Sequence, residues 1–432
     1  MTSKNTRRSG LRKKFHQGLR RLFAGLPVGV RFGIYRRMVD CDPAPDQQLQ
    51  LSVAQTREDL EGCFRLLHDA YVASGFMKPH PSGMRITKYH ALPTTTTLCA
   101  KYGDRVVGTI SMIREGVFGF PLQSIFDLDN VRAAGGKIAE ISALAVHPDF
   151  RKTGGAILFP LMKLMYEYST KYFDTRHLVI AVNPDKIELY ESLLFFKRLN
   201  EKVVDNYDFA NGAPAVGATL DLSSAADLFE RVYGRRAPRK NLHYYFVKLV
   251  LANIRLPQRR YFTTNDPVLT PEILDYFFNQ RSDVFAELDD RPKALLWSIY
   301  DQPEYRRVLP MLKGSPVEFH ALRRHQRFSL RCPAQLTFKL LDGEGERRAV
   351  MTVTDVSLLG FQASTDIEIP LGINGTAMVE LGVTDKSELE VKVLRRRQGD
   401  DASYYVFTLT EPDQPWRRVV SALETASTAG DL

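Results

Sequence analysis

Leu60, Phe64, Leu67 and Tyr71 recur at three- and four-residue steps and predict one face of a helix. The run "TTLCAKYGDRVVGTISMI" alternates instead, and predicts two strands turning at Gly103-Asp104. Further on, Glu140 to Val146 reads as a strand, Ala156 to Lys171 as a helix and His177 to Val182 as a buried strand. Asp185 to Leu194 reads as a short helix, before "FFKRLNEKVV" resumes strand character. This alternation over residues 51–222 predicts a mixed α/β domain.

After residue 222 the pattern turns helical. A mostly apolar helix is expected around Leu242 to Leu256. Another begins at Thr270-Pro271-Glu272, an N-cap with Pro at the first helical position, and carries Leu274, Phe277, Phe278, Phe285 and Leu288. A connector follows near Gly314-Ser315-Pro316. From Arg323 on, "AQLTFKLL", "RRAVMTVTDVS", "GFQAST", "GTAMVELGV", "SELEVKVLR" and "SYYVFTLT" are short alternating runs that predict a small all-β barrel. A helix from Pro415 to Thr425 ends it.

Composition changes this picture mainly at the N-terminus. The chain has 432 residues, 44% apolar and 25% charged, as in ordinary globular proteins, and no apolar run long enough for a membrane span. Residues 1–39 hold eleven Lys or Arg and no acid, so of the net charge of +9 the remainder of the chain accounts for 9 − 11 = −2. Between these cations, Leu11, Phe15, Leu19, Leu22, Phe23 and Leu26 fall at helical spacing. The pattern over residues 1–37 suits a helix lying on an anionic membrane surface. A disordered solubilising arm and nucleic-acid contact are the alternatives, and no DNA or RNA partner is expected. Cys41, Cys63, Cys99 and Cys332 lack metal-type spacing, so a reduced cytoplasmic protein without a metal is expected, peripheral to the inner face of the membrane through its arm.

Candidate chemistry concentrates at "EISALAVHPDFRKTGGAIL". A strand ends at Val146, and Arg151, Lys152, Thr153, Gly154, Gly155 and Ala156 lead into a helix. Helix-opening N–H groups point outward with the positive end of the dipole, and small residues let a phosphate come close. The loop is neither a Walker loop nor a dinucleotide fingerprint.

"VHPDFRKTGGA" resembles the Arg/Gln-x-x-Gly-x-Gly/Ala signature of the GNAT superfamily of N-acyltransferases, and "NPDKIELYESLLFF" resembles its second signature, with Asn183 and then a helix bearing Tyr190. "GVFGFPLQSIFDLDNVRAAGGKIAEISALAV" is similar to the long-chain N-acyl amino acid synthases, relatives of the acyl-homoserine-lactone synthases. Gly119, Pro121, Leu128, Arg132, Glu140 and Ser142 fit that pattern, while Ala143 stands where those enzymes often carry Arg. The resemblance implies transfer of a fatty acyl group from an acyl carrier protein (acyl-ACP) or from acyl-CoA to the amine of an amino acid.

The attacking amine must lose a proton, and Glu140 is the candidate base; pairing with a Lys or capping a loop is its structural alternative. Strand N–H groups between Leu144 and Val146 are candidates for polarising the thioester carbonyl. The resemblance gives Tyr190 the role of protonating the leaving thiolate, with a packed core residue as the alternative. Phe118, Phe120, Ile125 and Phe126 line an acyl tunnel or belong to the core.

"LRRHQRFSLR" and "TDVSLLGFQAS" resemble the two signatures of PilZ domains, which bind cyclic di-GMP. Arg323, Arg324 and Arg327 supply the first, and Asp355, Ser357 and Gly360 the second. Guanidinium planes stack on guanine and fork onto its O6/N7 edge. The final strand "YYVFTL" lacks the Gly-x-x-Phe expected there, which leaves closure of the barrel open.

The chain is thus expected to hold a basic amphipathic arm at 1–45, a GNAT-like α/β domain at 46–222, a helical extension and connector at 223–320 and an all-β PilZ barrel at 321–432. A cyclic-di-GMP-regulated N-acyl amino acid synthase is the first reading. A short-chain acetyltransferase with the same sensor and a non-catalytic cyclic di-GMP receptor are the alternatives.

Overall fold

A computed structural model describes residues 25–151, 153–300, 302–312, 327–339, 345–398 and 402–424. Arm residues 1–24, Lys152, Gly314-Ser315-Pro316, Arg323 and Arg324 lie outside these.

The first sheet is built from β1 (Leu49–Val53), β2 (Thr95–Tyr102), β3 (Arg105–Arg114), β4 (Lys137–Val146), β5 (Thr175–Val182), β6 (Lys197–Arg198), β7 (Val204–Tyr207) and β8 (Ala213–Asp221). Their order is β1-β2-β3-β4-β5-β8-β6, with β7 also on β8. Only β4 and β5 run parallel. The helices are α1 (Val28–Met38), α2 (Arg57–Ala73), α3 (Asp129–Ala133), α4 (Leu158–Tyr172), α5 (Pro184–Leu194) and α6 (Leu222–Tyr233). Thr56 caps α2 by accepting the Asp59 N–H at 3.1 Å, which places Leu60, Phe64 and Leu67 in the core.

One irregularity shapes the site. The β3–β4 register runs Thr109↔Ala145 and then Ser111↔Ser142, so β4 carries an extra residue. Ala143, inside this bulge, has φ +54. Parallel pairing of β4 with β5 stops at Glu140↔Val179, and the strands part beyond it. A bulge bends its strand and re-aims side chains, and here it opens the sheet.

The extension differs from its sequence expectation. In place of a helix over Leu242 to Leu256 there is one wide turn at Tyr244–Lys248, followed by extended chain. Asn253 and Arg255 bond to Leu51 on the edge strand β1, a sheet edge that competes successfully with helix propagation. The Thr270 helix is also interrupted: α7 (Pro271–Asp275) runs into a wide turn at Tyr276–Gln280, and Phe285 sits on the separate α8 (Val284–Glu287), before α9 (Asp290–Trp297). Ser282 Oγ donates to the Phe277 carbonyl at 2.7 Å where the wide turn ends. Part of the arm docks on the domain, since Arg31 of α1 pairs with Glu188 of α5 at 2.6 Å and Arg36 Nε donates to the Ser192 carbonyl at 2.9 Å.

The second sheet is a closed barrel of β9 (Phe328–Lys339), β10 (Glu346–Ser357), β11 (Gly360–Thr365), β12 (Asn374–Glu380), β13 (Lys386–Gln398) and β14 (Ser403–Leu409), in the order β10-β11-β14-β13-β12-β9. Strand β14 closes it without the expected Gly-x-x-Phe: Phe407 fills the interior, stacked on Phe361 at 4.7 Å. Trp416 of α10 (Gln414–Glu424) packs beneath.

Residues 259–266 form a strap between the two sheets. On the barrel side, Phe262 N–H donates to Leu381 O, Thr264 N–H to Ser329 O and Arg331 N–H to Phe262 O, at 2.8–3.1 Å. Toward the first sheet, Asp266 N–H donates to Pro93 O at 3.0 Å, and the Asp266 carboxylate, on a side chain 10% exposed, takes Arg114 of β3 at 3.3 Å, Arg259 at 2.7 Å and Tyr168 Oη at 2.7 Å.

Candidate functional site

A cavity of about 420 Å³ opens where β4 and β5 part. Its walls include Glu140, Ser142, Ala143, Leu144 and Val146 from β4, and Ile180, Ala181 and Val182 from β5. Arg151 comes from the following loop, and Asn183 and Tyr190 come from the start and middle of α5.

Glu140 is 2% exposed, and its Oε2 accepts the Leu122 N–H at 3.0 Å. Burial pushes its pKa up to about 8, against the opposing pull of that hydrogen bond. It pairs with no Lys among the described residues. A carboxyl poised in this way is able to take a proton from an ammonium group of nearby pKa. The turn at Pro121-Leu122 supplies the N–H, which gives the Gly-x-Pro stretch a structural task. Burial also raises the pKa of Tyr190, so its phenol stays protonated at neutral pH and is able to donate.

The loop into α4 has φ +67 at Gly154 and +91 at Gly155. A side chain at Gly155 would stand 2.5 Å from the Phe159 ring. Thr153 Oγ1 donates to Phe150 O at 2.7 Å and Arg151 Nε to Val146 O at 2.8 Å, which fixes the loop against the end of β4. Thr153, Gly154, Gly155 and Ala156 adjoin the cavity wall at Arg151 but are not part of it. Asn183 caps α5 by accepting the Asp185 N–H at 3.0 Å. His147 and His177 have structural partners, accepting the Asp149 N–H and contacting Gly135 O at 2.8 Å, respectively.

The far wall of the cavity comes from elsewhere than the Phe118–Phe126 stretch. Phe120 and Phe126 are buried in a separate cluster with Tyr89, Leu122, Leu128 and Val131, so the core alternative is the one realised. Met162, Met165, Leu220, Ala225, Phe229 and Phe246 line that wall instead. At the Glu140 end, Tyr71, Tyr207 and Phe209 complete the lining, none of them singled out as a site residue from the sequence. Tyr71 sits at helical spacing with core residues, and its hydroxyl meets the backbone N–H of Ala143, the bulge residue with positive φ.

In the barrel, Arg327 Nη1 lies 3.5 Å from Asp355 Oδ2. Asp355 is opposite Ser329 in register, and the Ser329 carbonyl is the acceptor of the strap residue Thr264. Ser357 Oγ donates to Gly360 O at 3.1 Å and closes the β10–β11 turn. Gly360 is required by the barrel itself, since a side chain there would stand 2.5 Å from Phe407 O. Arg327, Asp355, Ser357 and Gly360 therefore cluster at one corner of the barrel, where a guanidinium and a carboxylate are partly exposed. Among the described residues, no group of three His, Cys, Asp or Glu gathers as a metal site, and no helix is long and apolar enough to cross a membrane.

Comparison with known proteins gives the following. The structure of FeeM, an N-acyl amino acid synthase from uncultured soil microbes, is similar at 25% identity, covering 43% of this chain and 95% of that one, with a TM-score of 0.35. The CoA-dependent acyl-homoserine lactone synthase BjaI, solved with SAM and isopentyl-CoA, is similar at 19% identity over 48% of this chain and 93% of that one, with a TM-score of 0.35. The PilZ domain of YcgR from Escherichia coli, solved with c-di-GMP, is similar at 18% identity over 24% of this chain and 94% of that one, with a TM-score of 0.21. No curated protein matches the chain. Residues 62–221, which hold Tyr71, Glu140, Arg151, Asn183 and Tyr190, match the family described as N-acyl amino acid synthase FeeM.

Proposed function

We propose that the chain joins a fatty acyl group, carried as a thioester on an acyl carrier protein or on CoA, to the amine of an amino acid. The observation that carries this reading is the meeting of Glu140, the parted edge of β4 and Tyr190 on one cavity with a long apolar wall. The family match over residues 62–221 supports N-acyltransferase chemistry.

In this reading the pantetheine arm lies between β4 and β5. Arg151, Lys152, Thr153, Gly154, Gly155, Ala156 and Asn183 hold its phosphate end, and the backbone of Leu144 to Val146 steadies the thioester carbonyl. Glu140 removes the proton from the incoming ammonium. The neutral amine attacks the thioester carbon, the tetrahedral intermediate collapses as Tyr190 gives its proton to the departing thiolate, and the Tyr190 phenolate takes the second proton from the nitrogen to leave the neutral amide. Ser142 borders the reacting centre. The acyl chain lies along Met162, Met165, Leu220 and Phe229.

The barrel is the regulatory half of the proposal. Cyclic di-GMP binds Arg327, Asp355, Ser357 and Gly360, together with Arg323 and Arg324. Ser329, two residues after Arg327, holds the strap that carries Asp266 to Arg114. A ligand that binds one arrangement of this junction better than another shifts acyl transfer. The cationic arm rests the enzyme on an anionic membrane surface, where an acylated product partitions.

Lipid extracts of a host expressing the chain, analysed by mass spectrometry, test the enzyme half. New N-acyl amino acids support it, while extracts matching those of a Glu140→Gln strain speak against it. Equal rates of product formation with and without saturating cyclic di-GMP would contradict the regulatory half.

A further inference from the structure

The far end of the cavity is built by residues that follow the family-matched segment, which ends at residue 221. Leu222, Ala225, Ala226 and Phe229 of α6, and then Phe246 and Val247 of the wide turn at Tyr244–Lys248, complete the wall. The two ends of the cavity belong to different parts of the core. Leu122, whose N–H holds Glu140, packs with Tyr89 and Tyr207, whereas Phe246 packs with Met165 and Phe229.

The wide turn is held at three points. Tyr244 N–H donates to Asn241 Oδ1 at 2.8 Å, and Leu249 N–H closes the turn on Tyr244 O at 2.8 Å. The third tie is a buried charge. Lys163 of α4, its side chain 1% exposed, donates from Nζ to the Phe246 carbonyl at 3.2 Å and pairs with Glu167 at 2.8 Å. An ammonium taken out of water is costly, and burial pulls the pKa of Lys163 down against the opposing pull of Glu167. No step of the proposed acyl transfer uses Lys163; its position secures the backbone of Phe246. The Phe246 ring stands edge-on to Phe229 at 6.0 Å and to Tyr166 at 6.4 Å, wedged between α6 and α4. Val247 beside it lines the cavity while 40% exposed, so the cavity reaches almost to the surface here. Met162 and Met165, also on this wall, are flexible thioethers that adapt to a chain, whereas a ring fixed by its backbone and its neighbours does not.

We propose that Phe246 is the end stop for the acyl chain and that Lys163 holds it in place, so that this turn sets the longest chain the enzyme takes. This rests on the acyl-transfer reading above and adds a limit on the donor, set by residues outside the matched segment. A chain that enters at the parting of β4 and β5 runs past the two methionines and meets the Phe246 ring. The next methylene has to displace that ring, at a cost of about tenfold or more in kcat/KM. Lys163 is a positioning residue that acts through the Phe246 carbonyl.

The test uses the even-numbered saturated acyl-CoA thioesters from octanoyl to stearoyl with the full-length chain. Binding is measured by calorimetry without an acceptor, and transfer is measured with a mixture of amino acids. Wild type should show a sharp upper limit of chain length in both. Phe246→Leu keeps the wall apolar and should move the limit outward by about one two-carbon step or more, while Phe246→Trp should move it inward, with octanoyl transfer unchanged in Phe246→Leu. Lys163→Met should blur the limit, and Lys163→Arg should sharpen it again. A limit that stays put in both Phe246 variants, or stays equally sharp in Lys163→Met, would overturn the assignment, as would a wild-type profile without a limit. Thioesters that bind with the expected limit but yield no amide would instead overturn the acyl-transfer reading and leave the stop in place.

Discussion

Arg259 and Arg260 are neighbours in the chain and are bound in opposite directions. Arg259 Nη2 meets Asp266 Oδ1 at 2.7 Å on the side of the first sheet, and Arg260 Nη2 meets Asp385 Oδ1 of the barrel at 3.1 Å. The strap is therefore tied to both halves within two residues. Arg260→Ala should cost about 1 kcal/mol of stability or less, because this guanidinium is half exposed. Cyclic di-GMP should still bind with a Kd within about threefold of wild type, while its effect on the rate of acyl transfer shrinks. Calorimetry alongside a rate assay checks both, and an unchanged ligand effect on rate would remove the strap from the regulatory account.

Glu140 gives a pH prediction of definite sign. Its folded pKa of about 8 lies above its ordinary value of 4.5, so the folded state holds a proton that the unfolded state releases. Its contribution is fully present below pH 4.5, declines as pH rises between those two values, and is lost above about 8. Glu140→Gln still offers an oxygen to the Leu122 N–H. The variant should gain stability over wild type as pH rises from 5 to 9, by a few kcal/mol on the order given by linkage. Its kcat should fall by roughly 10²- to 10⁴-fold. Wild-type activity should climb with pH toward a plateau above about 8. Thermal melts across pH, with a parallel curve for the two proteins, would contradict the buried carboxylic acid.

Tyr190 is tested through the leaving group. Tyr190→Phe should slow transfer from an ordinary alkyl thioester by about tenfold or more. The loss should nearly vanish with an aryl thioester, whose thiolate departs without a proton. Equal losses on the two donors would make Tyr190 a packing residue.

The loop glycines differ in a way that binding can measure. Gly155→Ala meets both a left-handed backbone and the Phe159 ring, while Gly154→Ala meets only the backbone, with its nearest neighbour 3.9 Å away. The first should cost about 1–3 kcal/mol and the second about 1 kcal/mol. If the loop holds the phosphate end of the donor, Gly155→Ala should also raise the donor KM severalfold without altering the preference among acceptors.

Much of the fold is legible in the residues. Glu140 to Val146 is strand as its alternation predicts, and the Gly103-Asp104 turn joins β2 to β3. The helix expected over Ala156 to Lys171 spans Leu158–Tyr172, a shift of two residues or fewer at each end. What stays hidden depends on contacts distant in sequence. Leu242 to Leu256 has the apolar content of a helix, but the edge strand takes its backbone at Asn253 and Arg255. No local pattern singles out Arg114, and only the fold brings Asp266, 152 residues later, against it. The same holds at the cavity: Glu140, Ser142, Arg151, Asn183 and Tyr190 lie on two recognisable motifs, whereas Tyr71 and Tyr207 come from two segments without one. Tyr71 shares the spacing of a core helix face, and no local pattern marks its hydroxyl as different.

The most direct measurement incubates the purified full-length chain with long-chain acyl-CoA or acyl-ACP and a mixture of amino acids, and follows amide products by mass spectrometry. Formation of an N-acyl amino acid, at least a hundredfold faster than with Glu140→Gln, is the predicted result. Thioester consumed without an amide product, or amide formed equally well by the Gln variant, would contradict acyl transfer at the parting of β4 and β5.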